Sequence, residues 1–142
     1  ELSKRLTLKG DQILLIPEAE CNYFARENFR ELAVNNFKNG KWNLLTIYLT
    51  GKISSLSFRH LVPLTFILSL IIPLILTLFF KPFFLIFLIS LISYFVCIIY
   101  FSFQKKSSKT NFSLLLLAFL SLHLSYGFGS LIGLISIPFF KK

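Results

Sequence analysis

The chain has 142 residues, of which 55% are apolar and 18 are Phe, with a mean hydropathy of +0.73 and a net charge of +9. All six acidic residues (Glu1, Asp11, Glu18, Glu20, Glu27 and Glu31) precede position 32, and beyond Leu61 the only charges are six lysines. The positive charge punctuates apolar runs and forms no basic stripe beside aromatics, which argues against nucleic acid as a partner and for membrane topology and anionic lipid.

Residues 1–9 place Leu2, Leu6 and Leu8 among charges and are followed by Gly10, the pattern of a helix end with a C′ glycine. No Met occurs, and helix-forming sequence is already under way at Glu1, so the chain is expected to be the C-terminal part of a longer protein. The charged Leu2–Arg5 stretch leads into no apolar h-region, so no signal peptide is expected. Gln12–Ile16 is a short apolar run closed by Pro17, which predicts a buried strand. Between Arg26 and Asn39, Phe29, Leu32, Ala33 and Phe37 recur at helical spacing, and Gly40 is expected to break or cap that helix. Residues 41–58 have one apolar side plus Trp42 and Tyr48, as in a helix lying at a membrane surface.

Leu61–Phe80 is twenty residues without a charge, enough at 1.5 Å each to cross a ~30 Å hydrocarbon core. Pro63 falls in its first turn and Pro73 in its middle, where a kink is expected. Lys81-Pro82 forms a turn, Phe83–Phe103 is a second uncharged stretch, and 104–111 is a polar loop with Lys105, Lys106 and Lys109. Phe112–Phe140 is a third apolar stretch, ended by Lys141 and Lys142. The expected fold is therefore mainly α. A 1–60 head with a short α/β remnant and amphipathic interfacial helices precedes a 61–142 membrane region, with spans at about 61–80, 83–103 and 112–137. The lysine distribution puts the head and the second loop in the cytoplasm, at the inner membrane of the cell. Three full crossings carry the terminal lysines outside, and a re-entrant third stretch returns them inside; the sequence allows both.

Within the third stretch Ser121, Ser125, Gly129 and Gly133 recur every four residues and form a small-residue stripe suited to close helix packing. His123 and Tyr126 share that span; for His123 a hydrogen bond within the bundle is expected ahead of catalytic work, since the spans hold no acid to partner it. Cys21 and Cys97 make neither a disulfide framework nor a metal cluster. Gly127, Gly129 and Gly133 lack the spacing of a dinucleotide loop. No metal site and no nucleophile–base pair is evident, so the chain has no self-contained active site.

The order Glu1-Leu2-Ser3-Lys4-Arg5-Leu6, Lys9-Gly10, the Gln12–Ile16 run and Pro17 is similar to the end of the catalytic domain in family-2 inverting glycosyltransferases. Tyr23, Arg26, Phe29-Arg30, Leu32-Ala33, Phe37 and Gly40-Lys41-Trp42 resemble the basic helix and Gly-Arg-Trp segment of membrane-bound members that build exopolysaccharides, the succinoglycan type. Arg59-His60-Leu61-Val62-Pro63 and His123-Leu124-Ser125-Tyr126-Gly127-Phe128-Gly129 also look like that subfamily.

The resemblance implies that the α/β remnant closes a nucleotide-sugar-binding domain whose catalytic base lies just upstream of Glu1. No catalytic residue is then expected within the chain. Glu1 matches the acid two places after that base. Lys38, Lys41 and Trp42 fall on the Gln-x-x-Arg-Trp segment that binds the acceptor and the departing diphosphate, with Lys38 replacing Gln and Lys41 replacing Arg. Cations there stabilise charge growing on the leaving group, and a Trp face suits a sugar ring. A divalent cation, Mg or Mn, is implied outside this chain. The implied partners are a nucleotide-sugar donor, a lipid-linked glycan acceptor and membrane lipid. Lys38 and Lys41 are equally suited to anionic headgroups and Trp42 to an interfacial anchor. Arg26 and Arg30, with Glu27 and Glu31 nearby, read as a solvated charged face.

Three functions compete on these residues. The first is the membrane portion of an inverting glycosyltransferase in polysaccharide synthesis, inactive as this piece alone. The second is a small transporter or assembly subunit, which uncharged spans disfavour. The third is a structural anchor whose head recruits a soluble partner.

Overall fold

In a computed structural model, described for residues 2–14, 16–22, 28–51, 58–108 and 110–140, five α-helices follow one another in chain order. These are α1 (Leu2–Leu8), α2 (Phe29–Thr50), α3 (Val62–Leu76), α4 (Phe83–Lys105) and α5 (Phe112–Ser136), with 3-10 turns at Phe58–His60 and Ile137–Phe139. The chain is mainly helical, and three of its helical segments, Phe58–Leu76, Phe83–Lys105 and Phe112–Phe139, are long and apolar enough to cross a membrane.

The expected strand is not found among the described residues. Gln12, Ile13, Leu14 and Ile16 carry no regular structure and are exposed, Leu14 to 82%. A strand hydrogen-bonds only to a neighbour, and the described residues offer none, so an apolar run alone does not make one. The α/β remnant expected in the head is accordingly not shown. Before it, α1 ends as the sequence leads one to expect: Gly10 takes φ +92, and the amides of Lys9 and Gly10 return to Leu6 and Thr7.

The larger correction concerns α2. The sequence predicts one helix stopping near Gly40 and a second from residue 41. Instead a single helix runs from Phe29 through Gly40 to Thr50. It starts at Asn28, whose side chain accepts from the Glu31 amide at 2.8 Å and donates to the Glu31 carboxylate at 2.9 Å, a reciprocal cap. It stops at Gly51, whose left-handed φ of +64 turns the chain while its amide donates to Ile47 O at 2.9 Å. Arg26, Glu27 and residues 52–57, which belonged to the expected helices, lie outside the described residues.

Pro63 sits in the first turn of α3 as expected, and Pro73 is buried inside it. The helix ends one turn later at Leu76, short of the expected Phe80. The turn at Lys81-Pro82 then leads into α4, which extends through the expected second span to Lys105. Asn111 caps α5 by accepting from the Ser113 amide at 2.9 Å.

The helices associate through small residues and aromatic rings, because apolar surface gains little by leaving lipid for protein. Phe66 of α3 stacks on Tyr94 of α4 at a 3.7 Å centroid distance, and the Tyr94 ring meets His123 of α5 edge-on at 5.9 Å. Phe103 and Phe112 pack at 4.6 Å where α4 hands over to α5. The hydroxyls of Thr65, Ser69, Ser93 and Ser136 bond to carbonyls of their own helices, which removes them as exposed polar groups.

Candidate functional site

The site is built on the pairing of α2 with α5, the most extensive helix contact in the molecule. Three glycines make it possible. A Cβ at Gly40 would collide with Tyr126 O and lie 2.9 Å from Ser130 N; one at Gly129 would collide with Phe37 O; one at Gly133 would lie 2.7 Å from Lys41 O. The two backbones therefore touch. Phe37 with Gly129, Lys41 with Gly133 and Tyr48 with Phe140 keep one constant separation of 92 residues, so the helices run in the same direction and stay in register. Polar bonds close the pair. Asn43 Nδ2 donates to the Tyr126 hydroxyl, and the Tyr48 hydroxyl donates to Phe140 O at 3.3 Å.

The stripe read from the sequence is thus a packing surface, and its partner is the head helix, not another span. Gly40, read as a stop, is the opposing half of that surface. In the first half of the stripe, the Ser125 hydroxyl donates to Ser121 O within α5.

With one face of α2 fixed to α5, its side chains at 33/34, 37/38 and 41/42 line up as successive helical rows. Ala33, Val34, Phe37, Lys38, Lys41 and Trp42, with Ser125 across from them, line an open groove of ≈ 700 Å³. Three of the four expected substrate-binding residues, Lys38, Lys41 and Trp42, are brought together here; Glu1, the fourth, lies outside the described residues. Lys38 is exposed and Lys41 half-buried. Trp42 is 54% exposed, with its edge held on the Phe140 ring at 6.3 Å. Lys38 also borders a second, polar groove with Asn28, Arg30, Glu31, Val34 and Asn35.

This arrangement offers two cations and a flat aromatic face along one wall, with apolar Ala33, Val34 and Phe37 beside them. It suits an anionic group attached to something less polar, such as a phosphate on a lipid or a sugar. Each lysine acts as a point charge without the paired donors of a guanidinium. Ala33, Val34, Phe37 and Ser125 were not singled out as groove residues in the sequence. The first three follow from the i, i+4 rows, whereas Ser125 could be found only by knowing that α5 pairs with α2.

A second cavity, of ≈ 330 Å³, lies between α3, α4 and α5 and is lined by Phe66, Tyr94, Cys97, Ile98 and His123 among others. His123 Nδ1 sits 3.1 Å from Phe119 O, one turn back in its own helix, and its contact with a neighbouring helix is the Tyr94 ring. Cys97 is exposed on α4. Among the described residues no group of three or more His, Cys, Asp or Glu side chains comes together.

Comparison with protein families, with curated proteins and with solved structures finds no match to the chain.

Proposed function

We propose that this chain is the membrane portion of an inverting glycosyltransferase that moves a sugar from a nucleotide-sugar to a lipid-linked glycan in polysaccharide synthesis. Its groove holds the phosphates of acceptor and leaving nucleotide against the bilayer. The observation that carries this reading is that Lys38, Lys41 and Trp42 line one groove on a helix clamped to an apolar membrane helix. A nucleoside diphosphate leaves with growing negative charge, and cations held in place beforehand lower that barrier without reorganising. Trp42 stacks a sugar ring on its apolar face while Phe140 holds its edge.

The reading places the catalytic base and the divalent cation upstream of Glu1. Among the described residues no cation site forms, and no step is routed through one. It places the head in the cytoplasm of an inner membrane, with lysine-poor Lys81 on the far side and Lys105, Lys106 and Lys109 on the near one.

The test is transfer of label from radioactive nucleotide-sugars into extracted lipid, by membranes carrying the complete gene product. Replacing Lys41 by Ala is expected to reduce kcat about 10²-fold, the scale for one electrostatic donor, and Trp42→Ala to raise the KM for acceptor. Absence of transfer for every nucleotide-sugar with the unaltered protein rejects the enzyme, and unchanged kinetics in Lys38→Ala, Lys41→Ala rejects the groove.

A further inference from the structure

The depth reached by α5 can be read from its neighbours. The rings of Phe66 and Tyr94, the shared cavity wall and the Lys81-Pro82 turn make α3 and α4 an antiparallel hairpin. The start of α3 and the end of α4 therefore lie on one side, that of the head, and α5 begins there after the polar 106–111 loop. Val62 shares a cavity wall with Ile98 and Phe101, so α3 starts within about two turns, roughly 10 Å, of the end of α4. Gly127 stands fifteen residues along α5, about 22 Å of helix. A helix crossing beside α4 would by then face the far half of α3. Instead a Cβ at Gly127 would lie 2.6 Å from Pro63 O and 2.5 Å from Ile67, in the first two turns of α3. After more than half its length α5 has gone no deeper than the opening of α3. The helix left beyond Gly127, to Ser136, is about 13 Å, too short to complete a ~30 Å core.

The two faces of the remaining half agree with this. One is covered by α2, whose outward side exposes Arg30, Glu31, Lys38 and Asn39, groups that belong in water or among headgroups. On the other, Phe128, Ile132, Ile135 and Phe139 are exposed at i, i+4, i+7 and i+11, a single apolar stripe.

We infer that α5 does not cross the bilayer: it enters obliquely and presents Phe128, Ile132, Ile135 and Phe139 to the acyl chains of the head-side leaflet, beneath α2. The partner of this surface is lipid, and α5 ends on the head side. The inference rests on the membrane reading and is independent of glycosyl transfer.

Single cysteines introduced by Lys38→Cys, Lys81→Cys, Ser107→Cys or Lys142→Cys, in the full chain with Cys21 and Cys97 replaced by Ser, are exposed to a membrane-impermeant maleimide in sealed vesicles. Lys142→Cys is expected to label from the same side as Lys38→Cys and Ser107→Cys, with Lys81→Cys labelled only from the other. Labelling of Lys142→Cys together with Lys81→Cys overturns the inference. The unaltered protein supplies a second measurement, because Trp42 is its only Trp. Iodide on the Ser107 side is expected to quench its fluorescence, and quenching only from the Lys81 side overturns the inference equally.

Discussion

At Gly129 an added methyl meets the carbonyl of Phe37, and at Gly40 that of Tyr126. Neither obstacle is the tip of a side chain able to swing away; both are backbone. Gly129→Ala therefore has to push two helices apart, and overpacking of this kind costs about 1–3 kcal/mol. Thermal unfolding followed by circular dichroism in detergent should show a clear fall in midpoint for Gly129→Ala. An unchanged midpoint would mean that the backbones do not touch. The four-residue period of Ser121, Ser125, Gly129 and Gly133 was legible as a packing face, because small side chains in an apolar run have little other use. The identity of what packs there was not. Gly40 has low helix propensity and follows Asn39, so local reasoning ends the helix at it; only a contact 90 residues away explains why a glycine stands in the middle of α2.

Among the elements, the turn at Lys81-Pro82, α4 and the start of α5 at Phe112 lie where charge and hydropathy place them, since each is decided by its own residues. The elements that were misread depend on partners. Gln12–Ile16 has an apolar composition and no neighbouring strand among the described residues, and α2 spans a boundary that propensity puts at Gly40. The groove was half legible for the same reason: Lys38, Lys41 and Trp42 sit on one helical face by spacing alone, whereas Ser125 arrives with α5. The α2–α5 pairing also carries a measurable polar coupling. Asn43 and Tyr126 bond to each other across the helices. In a double-mutant cycle of Asn43→Ala and Tyr126→Phe, the two losses should fall short of additive by about 0.5–1.5 kcal/mol, the net worth of one such bond. Strict additivity would place the two side chains out of contact.

For the molecule as a whole, the head and the last helix form one body although they occupy opposite ends of the sequence. A chain ended after Asn111 keeps the α3–α4 hairpin and loses α5, the main surface that α2 packs on. In such a truncation trypsin should cut at Lys38 or Lys41 far faster than in the full chain, as judged by the appearance of the fragments on a gel. Equal resistance would show that α2 is held by something other than α5. The groove disappears in the same truncation, because one of its walls is Ser125.

The fixed spacing of 92 residues between Phe37 and Gly129 also sets an order of events during synthesis. At roughly 5–20 residues per second, α2 leaves the ribosome on the order of 5–20 s before the glycines it needs. Through that interval the hairpin of α3 and α4 is already being inserted, while α2 waits at the surface with a glycine-centred seam and no counterpart. Closure of the seam is thus a late, zipper-like step that the synthesis of α5 releases.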